Sequence, residues 1–116
     1  MLQKRVVITG MAINTPIGDT LDEFINNLMD GKSAVTKWDT LDTSRIYAKV
    51  GGDLGKYDVH AKILSYKDRI PEDIYNRLLK LGSKSPLSIA ISLLISVEAF
   101  LDSGYIKSIE DGNNGH

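Results

Sequence analysis

An α/β fold is predicted for this chain of 116 residues by three features of its sequence. A run of consecutive β-branched residues, Val6-Val7-Ile8-Thr9, is closed by Gly10 and lacks the alternation of a half-exposed strand, as expected for a strand buried on both faces of a parallel sheet. A capped amphipathic segment follows at residues 20–31. Near the C-terminus a helix-length stretch, Pro86 to Ser103, is apolar on nearly every side.

Taken in order, residues 4–9 form the strand. After an irregular segment holding Pro16 and Gly18, Thr20 and Glu23 make a capping box, and Leu21, Phe24, Ile25, Leu28 and Met29 follow at helical spacing. Asp22 and Glu23 suit the positive end of that helix, and Gly31 ends it. Lys32 to Gly55 is loop-like apart from a short strand at Arg45 to Val50, closed by Gly51 and Gly52. Residues 56–70 leave helix and strand both open. Pro71, in a first-turn position before Glu72 and Asp73, opens a second helix with Ile74, Leu78 and Leu81 on one face and Gly82 as its stop. Pro86 opens the third helix, which runs to about Ser103 with Gly104 at its end.

The third helix carries the most information. A helix apolar all round must be buried all round, and each large side chain contributes about 1.5–3 kcal/mol only when covered. Two strands and two other helices scarcely suffice to wrap it, because a chain of this length keeps much of its surface exposed. These residues are therefore expected to be the N-terminal piece of a larger domain, or to be covered by another chain. The tail from Glu110 to His116 reads as a surface loop cut in its middle. Ser88, Ser92 and Ser96 recur every fourth residue along the helix. Their hydroxyls are expected to bond back to the preceding turn, leaving a small-residue stripe for a neighbouring helix.

Composition narrows the function. With 42% hydrophobic and 25% charged residues the chain is an ordinary soluble type of at most one domain. Fourteen basic and fifteen acidic residues give a net charge of −1, which supplies no overall footprint for nucleic acid or an anionic membrane. There is no cysteine, which excludes disulfides, thiolate metal sites and a cysteine nucleophile within these residues. His60 and His116 are the only histidines, too few for a His-rich metal site. Val6 to Ile8 is too short for a signal-peptide core, and Leu87 to Leu101, interrupted by three serines and Glu98, is too short and polar to span a bilayer. A cytoplasmic protein is the simplest expectation.

Two apparent nucleotide motifs fail on spacing. Gly31-Lys32-Ser33 would need a glycine at position 26 to be a phosphate loop, and the chain has Asn26. It also follows a helix instead of opening one, so a helix C-cap is expected there. The strand ending at Gly10 resembles the start of a dinucleotide fold, but Ala12, Asn14 and Pro16 stand where further glycines belong. His60 has no carboxylate or serine at a telling spacing and reads as a surface histidine. Trp38 and Phe100 read as single packing anchors.

Val6-Val7-Ile8-Thr9-Gly10-Met11, then Thr15-Pro16-Ile17-Gly18, then the capped helix ending Gly31-Lys32-Ser33, resembles the opening of the β-ketoacyl-acyl carrier protein synthases, the ketosynthases of fatty acid and polyketide assembly. Val97-Glu98-Ala99-Phe100-Leu101-Asp102-Ser103-Gly104-Tyr105 is similar to the end of the buried helix that follows in that family. The resemblance spans about residues 4–105 and is weakest in the middle. It implies a thiolase-like fold of layered α-β-α-β-α architecture, of which residues 1–116 would be an incomplete N-terminal part, and a parent that decarboxylates a malonyl carrier thioester and usually condenses it with an acyl chain. It further implies acyl carrier protein as partner and a homodimer or pseudo-dimer. No cofactor or metal is expected. The family's catalytic cysteine and two histidines lie beyond this length, so no catalytic residue is assigned here. By alignment Arg77, Lys80 and Lys84 fall near a basic surface used for carrier docking. Ala12, where the family has glycine, and Ser83-Lys84-Ser85-Pro86, where it has a basic Met-Asp-Arg-like stretch, leave open a divergent polyketide member, a malonyl-carrier decarboxylase or a silent chain-length partner. A nucleotide-dependent oxidoreductase remains the alternative from another class.

Overall fold

The structure, a computed structural model, describes residues 3–107. They fall into two compact units: Ile13–Asp58, and a second that joins the segment up to Ala12 to the chain from Val59 onward. The expected loop at Glu110 to His116 lies outside the described residues.

The Ile13–Asp58 unit holds helix α1, Leu21–Met29, and strands β1, Val35–Lys37, and β2, Val50–Gly52. The cap of α1 forms as expected with one change. Thr20 Oγ1 accepts the Glu23 amide at 3.2 Å, but the Glu23 carboxylate reaches back to the amide of Asp19, at 3.3 Å, one residue before the usual place. At the other end Gly31 takes φ 72°. Its amide donates to the Leu28 carbonyl at 3.1 Å, and the Lys32 amide to the Asn27 carbonyl at 2.9 Å. This is a Schellman termination, which accounts for Gly31-Lys32 without any phosphate.

The strand expected at Arg45–Val50 forms only at its last residue and runs on through Gly51 and Gly52, the residues read as its stop. Its partner β1 lies in the segment read as loop. The two pair antiparallel, with Val35 opposite Gly52 and Lys37 opposite Val50. Trp38 sets this arrangement: its indole lies so close over Gly51 that a Cβ there would overlap the ring, so glycine is needed inside the strand. Tyr47, in contrast, is fully exposed, and the apolar residues at 46 and 47 find no face to cover.

The other unit contains α2, Val59–Leu64, α3, Glu72–Gly82, and α4, Leu87–Asp102. All the buried hydrophobic side chains among the described residues lie here: Ile63, Tyr66, Ile70, Tyr75, Leu78, Ala90, Ile91 and Leu94. The ambiguous stretch at 56–70 thus resolves into α2 and a turn that together supply three core residues. Pro71 stands outside α3 as its N-cap, with ψ 144°. The packed face of α3 is Tyr75, Leu78 and Gly82, not the expected Ile74, Leu78 and Leu81. Gly82 is the reason. Its bare backbone admits Ile63 of α2 so closely that a Cβ would collide with it, and the helix rolls that way, leaving Ile74 41% and Leu81 52% exposed.

Helix α4 ends as expected, with Ser103 as C-cap and Gly104 at φ 71°. Only Ala90, Ile91 and Leu94 are buried on it, while Leu87, Ile89 and Phe100 are about half exposed. Two short helices cannot wrap a helix that is apolar all round, as the size argument anticipates.

Residues 4–9 do not form the expected strand. Val6, Val7 and Ile8 are 95%, 68% and 81% exposed. A parallel strand draws its hydrogen bonds from neighbours on either side, and β1 and β2 pair with each other. Among the described residues nothing is left for residues 4–9 to pair with. Strand propensity was present in the sequence; the sheet was not.

Candidate functional site

Three groupings bear on function, and the first joins Gly10 and Met11 to the end of α4. Gly10 lies against the last turn of α4, where an added Cβ would stand 2.8 Å from the Ser103 nitrogen and closer still to the Ala99 carbonyl. Beside it the Met11 amide donates to Asp102 Oδ2 at 2.9 Å. The opening motif and the closing motif of the chain therefore meet in space, one supplying a bare backbone and the other a carboxylate. The space a dinucleotide would require at Gly10 is filled by α4.

The second grouping is a polar knot. Glu98 on α4 is 19% exposed at its side chain, and its Oε1 accepts the Tyr66 hydroxyl at 2.9 Å. Lys62 Nζ lies 3.2 Å from the same oxygen, and Arg69 Nη1 3.8 Å. Both cations also stand over the Tyr66 ring, at 5.9 Å and 5.5 Å from its centroid. One carboxylate thus binds α2 and the following turn to α4. Its atoms face the protein, so its role is to hold the scaffold.

The third is the basic face of α3. At about 100° per residue, Arg77 and Lys80 straddle the direction opposite Tyr75, Leu78 and Gly82, and both are exposed. Lys84 is exposed as well but lies past the Ser83 C-cap. The structure therefore unites Arg77 and Lys80 on one helix face and leaves Lys84 in the link to α4. Among the described residues none of the three enters an ion pair.

Other residues singled out by the sequence yield no site. His60 is exposed on α2. Among the described residues no group of three histidine, cysteine, aspartate or glutamate side chains could hold a metal ion, and no helix is long and apolar enough to cross a membrane. Ser92 Oγ donates to the Ser88 carbonyl at 2.9 Å and Ser96 Oγ to the Ser92 carbonyl at 2.8 Å. These are the back-bonds anticipated for the stripe, which faces outward. Phe100 stacks edge-on against Tyr105, with centroids 5.5 Å apart.

Sequence reasoning missed Asn27. Its Nδ2 donates to the Ile17 carbonyl at 2.5 Å and its Oδ1 accepts Lys32 Nζ at 2.7 Å, so α1 clamps the Thr15–Gly18 turn. That turn is closed by reciprocal backbone bonds of 2.8 and 3.1 Å, and a Cβ on Gly18 would stand 2.6 Å from the Phe24 nitrogen. The group forms one wall of an open cleft of about 690 Å³ that also includes Asp19, Glu23, Ser33 and Tyr57. The Tyr57 hydroxyl donates to Asp19 Oδ2 at 2.9 Å. Elsewhere in this unit the Asp53 carboxyl is held below the usual carboxylate range by the Thr40 hydroxyl and the Gly55 amide. Asp42 is lowered in the same way by Ser44.

Comparison with known proteins follows these motifs. The family model described as β-ketoacyl synthase, N-terminal domain, matches residues 3–114. A 3-oxoacyl-[acyl-carrier-protein] synthase 2 from Synechocystis sp. is 36% identical over 56 residues, covering 48% of this chain and 14% of that protein. The chloroplastic 3-oxoacyl-[acyl-carrier-protein] synthase I of Hordeum vulgare is 28% identical over 102 residues, 88% of this chain and 22% of the relative. The Arabidopsis thaliana counterpart is 28% identical over 83 residues, 72% of this chain and 18% of the relative. The chain thus spans about a fifth or less of the length of these relatives. No solved structure matches it significantly.

Proposed function

Because the chain belongs to the β-ketoacyl synthase family, whose N-terminal domain it matches over residues 3–114, we propose that it is the N-terminal scaffold of an acyltransferase that works on acyl carrier protein thioesters. The observation that carries this reading is the junction of Gly10 and Met11 with Asp102, formed by the two motifs on which the family resemblance rests. In the complete layered thiolase-like fold, residues 4–9 are read as a strand of a central sheet and α4 as the helix covered between layers. Their exposed apolar surface supports that reading.

The reaction of such a protein is decarboxylation of a malonyl carrier thioester, releasing carbon dioxide, and attack of the resulting carbanion on an acyl group held as a thioester, which forms the carbon–carbon bond and breaks the carbon–sulfur bond to free the thiolate. A thiolate nucleophile carries that acyl group, and donors stabilise the developing oxyanion. Residues 1–116 contain no cysteine, so their part is to support and to recruit. Arg77 and Lys80, with Lys84 beyond the helix end, are assigned to docking the acidic carrier. In support, they are exposed, face away from the packed side of α3 and lack intrachain ion pairs among the described residues. A homodimer or pseudo-dimer in the cytoplasm completes the proposal; the plant relatives named as chloroplastic mark another setting for similar sequences. No finding favours the silent chain-length partner, the decarboxylase alone or the oxidoreductase.

Carrier binding to the chain at low salt, measured by titration, tests the docking assignment. Reversing Arg77 and Lys80 to glutamate is expected to weaken binding and flatten its salt dependence. Unchanged affinity at low salt would refute it.

A further inference from the structure

Residues 4–9 carry a backbone edge that nothing in the unit uses. Among the described residues neither their amides nor their carbonyls enter a hydrogen bond, and Val6, Val7 and Ile8 are exposed. A β-branched run with a free edge is a template for a further strand, and the charges at its two ends decide which strand fits. Lys4 and Arg5 stand at one end, and neither enters an ion pair among the described residues. At the other end Gly10 turns toward the last turn of α4, which presents the Asp102 carboxylate at the Met11 amide.

The segment is complementary to itself in one direction only. In a parallel pair Lys4 would stand beside Lys4 and Arg5 beside Arg5, like charges on adjacent strands. In an antiparallel pair the cations go to opposite ends. Residues directly opposite share a face of the sheet while successive residues alternate, so a two-fold axis between identical strands must pass through a residue that meets its own copy. An axis at Val7 centres the apolar run: Val6 then stands opposite Ile8, Arg5 opposite Thr9 and Lys4 opposite Gly10. The bare side of Gly10 is the one turned to α4. Lys4 of each copy shares that face, and so is directed to the last turn of the other copy's α4, beside Asp102.

We propose that residues 4–9 pair antiparallel with the same residues of a second copy of this chain, centred on Val7 and closed at both ends by Lys4 of one copy against Asp102 of the other. The pairing is independent of the docking assignment for Arg77 and Lys80. It takes the edge that further strands of a complete domain would take, so it is a property of the 116-residue chain and gives way where those strands are present.

Sedimentation of the 116-residue chain over a range of concentrations, at low and high salt, tests the pairing, and a dimer is expected. Val7→Lys and Val7→Glu each set like charges face to face on the axis and are expected to raise the dimer dissociation constant about tenfold or more. Mixed in equal amounts, the two variants are expected to pair with each other. Lys4→Glu is expected to weaken the dimer at low salt and to differ less from wild type at high salt. All three changes fall on exposed positions, so melting temperatures of the dilute proteins are expected to match wild type. A wild-type chain that stays monomeric overturns the proposal and leaves residues 4–9 to the strands of a longer chain. Association that survives both Val7 variants overturns it and assigns the contact to the apolar surface of α4. Val7 variants that remain monomeric when mixed, or wild-type affinity of Lys4→Glu at low salt, refute the register. A markedly lower melting temperature of the dilute variants also overturns the proposal, since it would show that these side chains pack within their own chain.

Discussion

Removing the Glu98 carboxylate is expected to loosen the helical unit by an amount that the knot around it determines. Glu98→Ala takes from the buried Tyr66 hydroxyl an acceptor at 2.9 Å and from Lys62, itself 15% exposed, a counter-charge at 3.2 Å. Breaking a fully buried ion pair costs about 3–5 kcal/mol, and a hydrogen bond to a charged group is worth about 1.5–3 kcal/mol. Lys62 and Tyr66 each make a further interaction, Arg69 is half exposed, at 50%, and the site retains some water. The expected loss is accordingly about 2–3 kcal/mol, or roughly 10 °C in melting temperature for a chain of this size. Glu98→Gln keeps the shape and an acceptor for Tyr66 but drops the charge, and is expected to lose about half as much. Tyr66→Phe combined with Glu98→Gln should be less than additive, since both remove the same bond. Thermal unfolding followed by circular dichroism reads the wild type, Glu98→Ala, Glu98→Gln, Tyr66→Phe and the double variant. If Glu98→Ala melts within 1–2 °C of wild type, about 0.5 kcal/mol, the carboxylate is not anchoring α2 to α4 and the argument fails.

Three further outcomes follow from other places in the structure. Gly18→Ala puts a methyl group against the Phe24 backbone and is expected to cost about 1–3 kcal/mol as an overpacking change, visible as lost helicity; a wild-type spectrum and melt would contradict it. Asp53 has a lowered carboxyl pKa because of Thr40 and Gly55, so its bonds persist above the usual carboxylate value and are lost only as pH falls through the lowered one, below about 4. The Thr40 and Gly55 amide resonances should shift together in that range and not between pH 5 and 7. The chain alone is expected to release no carbon dioxide above background from a malonyl carrier thioester, because it contains no thiol and only two histidines; turnover that survives purification would refute the scaffold role.

Local signals read well from the sequence because they are complete within a few residues. The Thr20 cap, the Gly31 termination, the bounds of α3 and α4 and the serine back-bonds each depend on neighbours no more than five positions away, and each forms. What failed required a partner distant in sequence. β2 took its register from Trp38, thirteen residues before Gly51, and α3 rolled its face toward Ile63 because Gly82 lets another helix approach. Glu98 was visible as the charged interruption of an apolar helix, yet nothing in residues 56–70 marked Tyr66, Lys62 and Arg69 as its partners.

The same distinction explains why the family was legible before its chemistry. Gly10 and Asp102 lie ninety-two positions apart, and the structure joins them through the adjacent Met11 amide. Gly10 is a glycine because α4 occupies the space of its side chain, and the Asp102 carboxylate accepts the Met11 amide. Each residue type suits the other's element, so each motif is readable with no reacting group near it. The docking surface proposed for Arg77 and Lys80 has no such internal demand: among the described residues neither cation enters an ion pair. On the docking proposal their pattern answers a partner, and so it was reached by alignment where Gly10 and Asp102 follow from packing.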